Sequence, residues 1–282
     1  MKQGKGGSRV RPSSGKTLAA PELAASELAA PELAALELNV RFLSCGDTAF
    51  AVEFANEVSP EINGQVIALH TAIGRAHAAG ELVGLVETVP TMRSLMVVYD
   101  PLLTSRVMLQ AAIKGMTEHA LVAEGSRRDV IIPCCYDDPN FAPDLQEVAK
   151  RTGKSVEQVI AGHLASEFKV YHLGFMPGFA YIVGLDPSLV LPRRAEPRVR
   201  VPRSSVAIAM DWTTVYPFEA PGGWHLIGRT PLWMFDRRRK QPVLLAPGDR
   251  VSFRRIDRTT FDRINRAVEA GTFSRASLFR QA

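Results

Sequence analysis

Gly174-Phe-Met-Pro-Gly-Phe179, Val201-Pro-Arg-Ser-Ser-Val206, Tyr216-Pro-Phe-Glu-Ala-Pro-Gly-Gly-Trp224 and Gly228-Arg-Thr-Pro231 crowd glycine, proline and large rings into the second half of the chain. Glycine admits positive φ and close approach of the backbone, whereas proline fixes φ and removes a donor. Punctuation this dense leaves room only for short strands. Residues 169–256 therefore read as a compact β barrel or sandwich whose rigid loops surround something small.

Upstream of that region the pattern changes. Residues 40–44 and 49–54 read as strands about a Gly46-Asp47 turn. Apolar residues at 62, 66, 69 and 73 predict a helix over 62–78, with Ser59 as cap and Pro60 in the first turn. Residues 84–89 and 94–99 predict a second strand pair, and 103–123 a second helix. Strand-strand-helix-strand-strand-helix describes a small α/β sandwich. Further on, 130–135 is expected as a strand and 144–151, 156–168 and 261–278 as helices. The fold class is thus α+β, with an N-terminal domain over 39–125, a polar break at 125–129 and a barrel domain over 129–282.

Residues 1–38 are set apart by composition. A Gly/Ser/basic segment precedes repeats of Pro-Glu-Leu-Ala-Ala, whose five-residue period does not lay leucine along one helical face. A disordered or transiently helical tail is expected.

The chain has 282 residues, 46% hydrophobic, with a net charge of +5. Its pI is near 9.3. A moderate basic excess favours anionic ligands or an acidic partner surface, and no nucleic-acid module accompanies it. Three cysteines, two of them adjacent at Cys134 and Cys135, argue against a disulfide scaffold. No apolar run approaches the roughly 18 residues that cross a bilayer. Cytoplasmic residence is the expectation.

Several motifs carry two readings each. Ser14-Gly15-Lys16-Thr17 and Gly153-Lys154-Ser155 imitate a phosphate-binding loop, but Val10 and Val148 stand where its first glycine belongs. His163 shares an apolar helical face with Val159 and Ile160. It is either a satisfied core histidine or a buried acid/base or ligand-orienting imidazole. Arg198 and Arg200 point to one face of a strand, as a solvated edge or as an oxyanion clamp. Arg229, held between Gly228 and Pro231, is the better clamp. Trp224 beside Gly222 and Gly223 forms a core hairpin or a site wall. Asp249 reads as a turn residue, His172 as structural, and Cys134 and Cys135 as inert buried thiols.

The motifs above, with Pro192-Arg-Arg194 and Pro247-Gly-Asp-Arg-Val-Ser-Phe253, occur in this order in one family. The chain resembles the family of 5-oxoprolinase B-type subunits, also called allophanate hydrolase subunit 1 or the KipI family, most clearly over 131–256. The resemblance implies a cyclophilin-like barrel. It also implies an ATP-dependent, non-autonomous hydrolase component that opens 5-oxoproline to glutamate with C-type and A-type partner subunits. A KipI-like inhibitor of a sensor histidine kinase and an allophanate hydrolase-type component are the alternatives. His163 falls where the family has a histidine.

Departures from the family are local. Met210-Asp-Trp-Thr-Thr214 replaces Gly-Gly-Gln-Thr-Gly, Ser204 replaces a glycine, and Ala180 and Val183 stand where proline and glycine are common. Phe175, Pro177, Gly178, Trp224 and Arg229 are expected to line one pocket, with Tyr216, Gly222 and Gly223 in its wall. His163 is expected beneath it, and Arg198 or Arg200 at its rim. His163 and Arg229 are the catalytic candidates, and no metal ligand is assigned.

Overall fold

A computed structural model describes residues 40–120 and 128–280. The segment 1–38, including the sequence at 14–17, and most of the 125–129 break lie outside the described residues.

The N-terminal part runs β1 (Arg41–Ser44), β2 (Ala49–Glu53), α1 (Pro60–Ala78), β3 (Leu85–Pro90), β4 (Ser94–Tyr99) and α2 (Arg106–Ala120). Its strands form an antiparallel sheet in the order β1-β2-β4-β3. The Ser59 hydroxyl accepts from the Ile62 N–H at 3.2 Å and starts α1, as the cap reading requires. Phe50 and Val52 on β2, Leu95 and Val97 on β4, and Val66, Leu69 and Ile73 on α1 form one buried cluster. Period two on the strands and a three-to-four spacing on the helix turn these side chains towards each other. The second helix begins later than residue 103, because Leu103 and Thr104 both donate to the Asp100 carbonyl in a turn.

The remainder contains β5 (Asp129–Cys134), α3 (Leu145–Thr152), α4 (Val156–Ala165), β6 (Phe168–Leu173), β7 (Ala180–Val183), β8 (Arg198–Val201), β9 (Ser205–Ala209), β10 (Trp212–Val215), β11 (Ala220–Gly222), β12 (His225–Arg229), β13 (Arg250–Arg255) and α5 (Arg258–Glu269). Seven of these strands make one sheet in the order β12-β9-β10-β7-β6-β13-β5, and β8 pairs with β11 in a separate ribbon. Only β5 and β13 run parallel within the large sheet. Its outermost strands then meet. The Cys135 N–H donates to the Arg229 carbonyl at 2.8 Å, and the Arg229 N–H donates back at 2.9 Å. One reciprocal pair thus nearly closes the sheet into a barrel.

Alternation sorts the two faces. Val206 and Ile208 of β9, Val215 of β10 and Ile227 of β12 point inward to the main core, joined by Val148 of α3 and Val159 and Ile160 of α4. Ala207 and Ala209 of β9 and Leu226 of β12 point outward, under Val201 of the β8–β11 ribbon, Tyr216 and Trp224.

Two helices differ from their expected spans. α4 stops at Ala165 because Phe168 opens β6 and its ring enters the main core. α5 spans Arg258–Glu269, not 261–278. Asp257 caps its start, and Gly271 at φ 75° follows its end, a conformation costly for other residues. The Gly153-Lys154-Ser155 segment is a helix corner. Gly153 is the left-handed cap of α3, and Ser155 forms a capping box with Gln158 at the start of α4. Asn63 ties α1 to the barrel, donating from Nδ2 to the carbonyls of Thr91 at 3.2 Å and Tyr171 at 3.3 Å.

Candidate functional site

The Gly174–Phe179 motif closes on itself. The Gly174 N–H donates to the Phe179 carbonyl at 3.1 Å, and the Phe179 N–H donates to Met176 at 3.0 Å. Gly178 takes φ 80°, and a Cβ there would lie 3.0 Å from the Phe235 Cβ and 3.1 Å from the Met234 carbonyl. That contact explains why glycine stands there. Pro177 caps the exposed outside of the turn. Phe175 adopts φ 64°, rare for a bulky residue, and leaves its ring 66% exposed. Backbone strain that presents an aromatic ring to solvent is a feature of ligand-contacting loops.

Behind Phe175 lies a chain of edge-to-face rings. Phe175 meets Phe179 at 5.4 Å, Phe179 meets Tyr181 at 5.1 Å and Tyr216 at 5.4 Å, and Tyr181 meets Trp212 at 5.3 Å. Trp224 lies 6.2 Å from Phe179 and 6.5 Å from Trp212. Each such pair contributes about 0.5–1.5 kcal/mol beyond area burial. His172 stacks flat on Tyr181 at 4.3 Å, and its buried Nδ1 has no hydrogen-bond partner. Burial pushes its pKa down to about 4, so the ring is neutral at pH 7. The sequence marks His172 only as framework. Nothing in Lys169-Val-Tyr-His172 signals that it borders this aromatic face, because the face is assembled from other strands.

Tyr216 and Trp224 are buried, so they back the face without forming an open wall. A Cβ at Gly222 would fall 2.2 Å from the Tyr216 hydroxyl, which makes glycine obligatory there. Gly223 instead has only ordinary contacts, the nearest with Pro197 at 3.6 Å.

His163 sits on the other side of the sheet, fully buried among Phe168, Phe253 and Tyr136. Thr213 donates its hydroxyl to the Ala207 carbonyl at 3.1 Å, so its oxygen accepts from His163 Nε2–H at 3.0 Å. Nδ1 is then the acceptor for the Tyr136 hydroxyl at 2.9 Å. Burial lowers the pKa of His163 to about 3. Both nitrogens are occupied and the ring is neutral, the geometry of a satisfied core histidine.

The arginines also disperse. Arg198 forms a two-point pair with Asp144, and Arg194 adds a third contact at 3.0 Å. Arg200 pairs with Glu219 in the exposed ribbon, at 2.9 and 3.0 Å. Arg229 ends β12 while Trp224 precedes it, and a strand of that length separates them by roughly 16 Å. Arg229 Nε donates to the Arg203 carbonyl at 3.1 Å, and its guanidinium lies 5.2 Å over the Phe141 ring. Burial, then the neighbouring Arg258, lower its pKa. The expected single pocket is therefore three places: an aromatic face, an enclosed His163 and an arginine seam beside Phe141. The cause is that helix α4 carries His163 to the inner side of the sheet, while the length of β12 carries Arg229 away from Trp224.

The replacements noted in the sequence fall on this geometry. Ser204 and Met210 hold φ 65° and 55°, a left-handed conformation that glycine adopts without strain. Trp212 extends the aromatic face through its contacts with Tyr181 and Trp224.

The carboxyltransferase domain, subdomain C and D, matches residues 40–245. The chain belongs to this family. It is 38% identical to the 5-oxoprolinase B subunit of Bacillus subtilis (strain 168) over 228 residues, covering 75% of this chain and 90% of that protein. It is 39% identical to the 5-oxoprolinase B subunit of Escherichia coli O157:H7 over 61% of this chain and 79% of that protein. The urea amidolyase of Lachancea kluyveri matches at 26% identity, and the region covers 14% of its length. Among solved structures, that of TTHA0988 superposes with a TM-score of 0.66 at 41% identity, over 74% of this chain. This member of the carboxyltransferase-domain family spans 40% of the TTHA0988 chain.

Proposed function

We propose that this chain is the B-type subunit of an ATP-dependent 5-oxoprolinase-like complex, acting with C-type and A-type subunits. The 38% identity to the 5-oxoprolinase B subunit of Bacillus subtilis over 90% of that protein carries the reading. The N-terminal two-layer sandwich and the cyclophilin-like barrel are read as separate domains over 39–125 and 129–282, and their separate hydrophobic clusters support this. Among the described residues no helix is long and apolar enough to cross a membrane, and Cys45, Cys134 and Cys135 are free thiols, in keeping with a cytoplasmic enzyme.

The chemistry suits a shared site. A lactam carbonyl is a poor electrophile. Phosphoryl transfer from ATP to its oxygen, with ADP leaving, activates the carbon; water adds there, the ring C–N bond breaks to leave an acyl phosphate, and a second water hydrolyses that to the carboxylate and free phosphate. In this chain the aromatic face around Phe175 and Trp212 would hold the ring of the substrate. Arg229, in its separate seam beside Phe141, would instead meet a partner subunit at the barrel rim.

The test is oxoproline-dependent ATP hydrolysis by the purified chain alone and with C-type and A-type subunits. Activity only in the assembled set is expected. Turnover by the chain alone, or inactivity of the verified three-part assembly towards 5-oxoproline, would overturn the proposal.

A further inference from the structure

Around residues 236–243 and 275 the chain gathers positive charge that its own carboxylates do not offset. Arg128, Arg239, Lys240 and Arg275 line a cavity of about 380 Å³, with Leu244 and Phe279 among its apolar walls. Arg128 is held by Asp249, with Nε 2.8 Å from Oδ1, and lies 5.2 Å over the Phe279 ring. Arg239 reaches Asp236 at 3.3 Å and the Phe273 carbonyl at 2.8 Å. Asp236 is already shared with Arg238 at 2.8 Å.

Arg275 differs from these. Its guanidinium donates to the carbonyls of Gln241 at 2.8 Å and Pro242 at 3.1 Å, which fix its position without neutralising it. Burial and the nearby Arg239 and Arg128 hold its pKa below the usual guanidinium range, with Asp236 opposing them. Lys240 is exposed and has no partner among the described residues. Stapling of the loop accounts for Arg275 alone. It does not account for three more cations on the same walls, where like charges raise one another's energy unless an anion enters.

We propose that this cavity binds a small multivalent oxyanion of the phosphate class. The lining cations Arg128, Arg239, Lys240 and Arg275 outnumber the paired carboxylates Asp236 and Asp249 by two, and Asp236 is further shared with Arg238, so a monocarboxylate would leave the excess uncompensated. Guanidinium groups held by carboxylates and carbonyls are rigid donors suited to several acceptor oxygens. The inference stands independently of the oxoprolinase reading, since none of these residues belongs to the aromatic face or the Arg229 seam.

The experiment is calorimetric titration of the full chain with inorganic pyrophosphate at low ionic strength. Saturable one-to-one binding is expected, weakened about tenfold or more by Lys240→Glu and by raised salt. Arg254→Glu makes the same charge reversal on exposed β13 outside the cavity and is expected to change affinity by less than about twofold. Thermal melts verify that both variants fold, which the exposed and unpartnered Lys240 favours. A parallel titration with ATP distinguishes sources. Tighter binding that is also lost in Lys240→Glu assigns the anion to a nucleotide tail, and equal or weaker binding assigns it to a free oxyanion. Unsaturable binding, or equal loss in Lys240→Glu and Arg254→Glu, overturns the site.

Discussion

Arg198 and Asp144 meet in a two-point ion pair, Nη1 2.8 Å from Oδ2 and Nη2 2.5 Å from Oδ1. The same carboxylate accepts the Leu226 N–H at 2.7 Å, so one buried group joins the start of α3, the start of β12 and the β8–β11 ribbon. The ribbon in turn covers the outer aromatic cluster.

Removing the Asp144 carboxylate leaves Arg198 partly buried without a counter-charge, and Arg194 with only Glu147 at 3.7 Å. Asp144→Ala is expected to cost about 3–5 kcal/mol of stability in urea melts. A loss below about 1 kcal/mol would show that the pair is not a structural anchor.

His163 predicts a pH dependence. Its folded pKa, about 3, lies below the ~6.5 of an unfolded histidine. Between those values the unfolded chain binds more protons, so the contribution is full above about pH 6.5 and is lost as pH falls towards 3. The slope is about 1.4 kcal/mol per pH unit for one histidine. His163→Gln should be less stable at pH 7 and should lose less stability than the parent between pH 6 and 4. Parallel stability curves from urea melts would rule out the buried neutral imidazole as the cause. His172 adds a similar slope to both proteins.

Met210 holds a left-handed backbone with its side chain partly exposed. Met210→Gly is expected to raise stability by about 0.5–1 kcal/mol. Ser204→Gly should gain less, because it also deletes the buried bond from Ser204 Oγ to the Leu232 carbonyl at 2.7 Å. Calorimetric melting of the two variants checks the order.

Arg229→Ala is expected to weaken binding of the partner subunits by about 1.5–3 kcal/mol, the loss of one charge-assisted contact. Loss of the contact over Phe141 costs a further ~1 kcal/mol of stability, too little to unfold the chain. Arg229→Lys should restore part of the binding, since an ammonium lacks the planar fork. Unchanged affinity in the Ala variant would assign Arg229 to the framework.

Local signals carried most of the architecture. Ser59-Pro60, Ser155 with Gln158, and the glycines after α3 and α5 are short-range devices whose physics is complete within a few residues. The strand-strand-helix-strand-strand-helix order was legible for the same reason. The site was less so. That α4 packs His163 on the side of the sheet opposite Trp224 emerges only once the helix is placed on the paired strands, and Asp144 becomes a hub only when residues far along the chain arrive beside it. A lone aspartate ahead of a helix reads as a cap. Nothing local distinguishes it from one that accepts from Arg194, Arg198 and Leu226.

The reciprocal Cys135–Arg229 pair has a consequence for the order in which the molecule assembles. It joins the residue just after β5, the first strand of the large sheet along the chain, to the end of β12, one of the last. It cannot form until the chain between them has been laid down. Bringing distant segments together costs loop entropy before the pair returns anything, so the seam closes late. A single rung spans it, which makes the seam the place where the barrel opens most readily, and Arg229 stands at its edge. A partner that gripped this rim would therefore act on a hinge as well as on a surface, tightening the whole circuit of strands from one point.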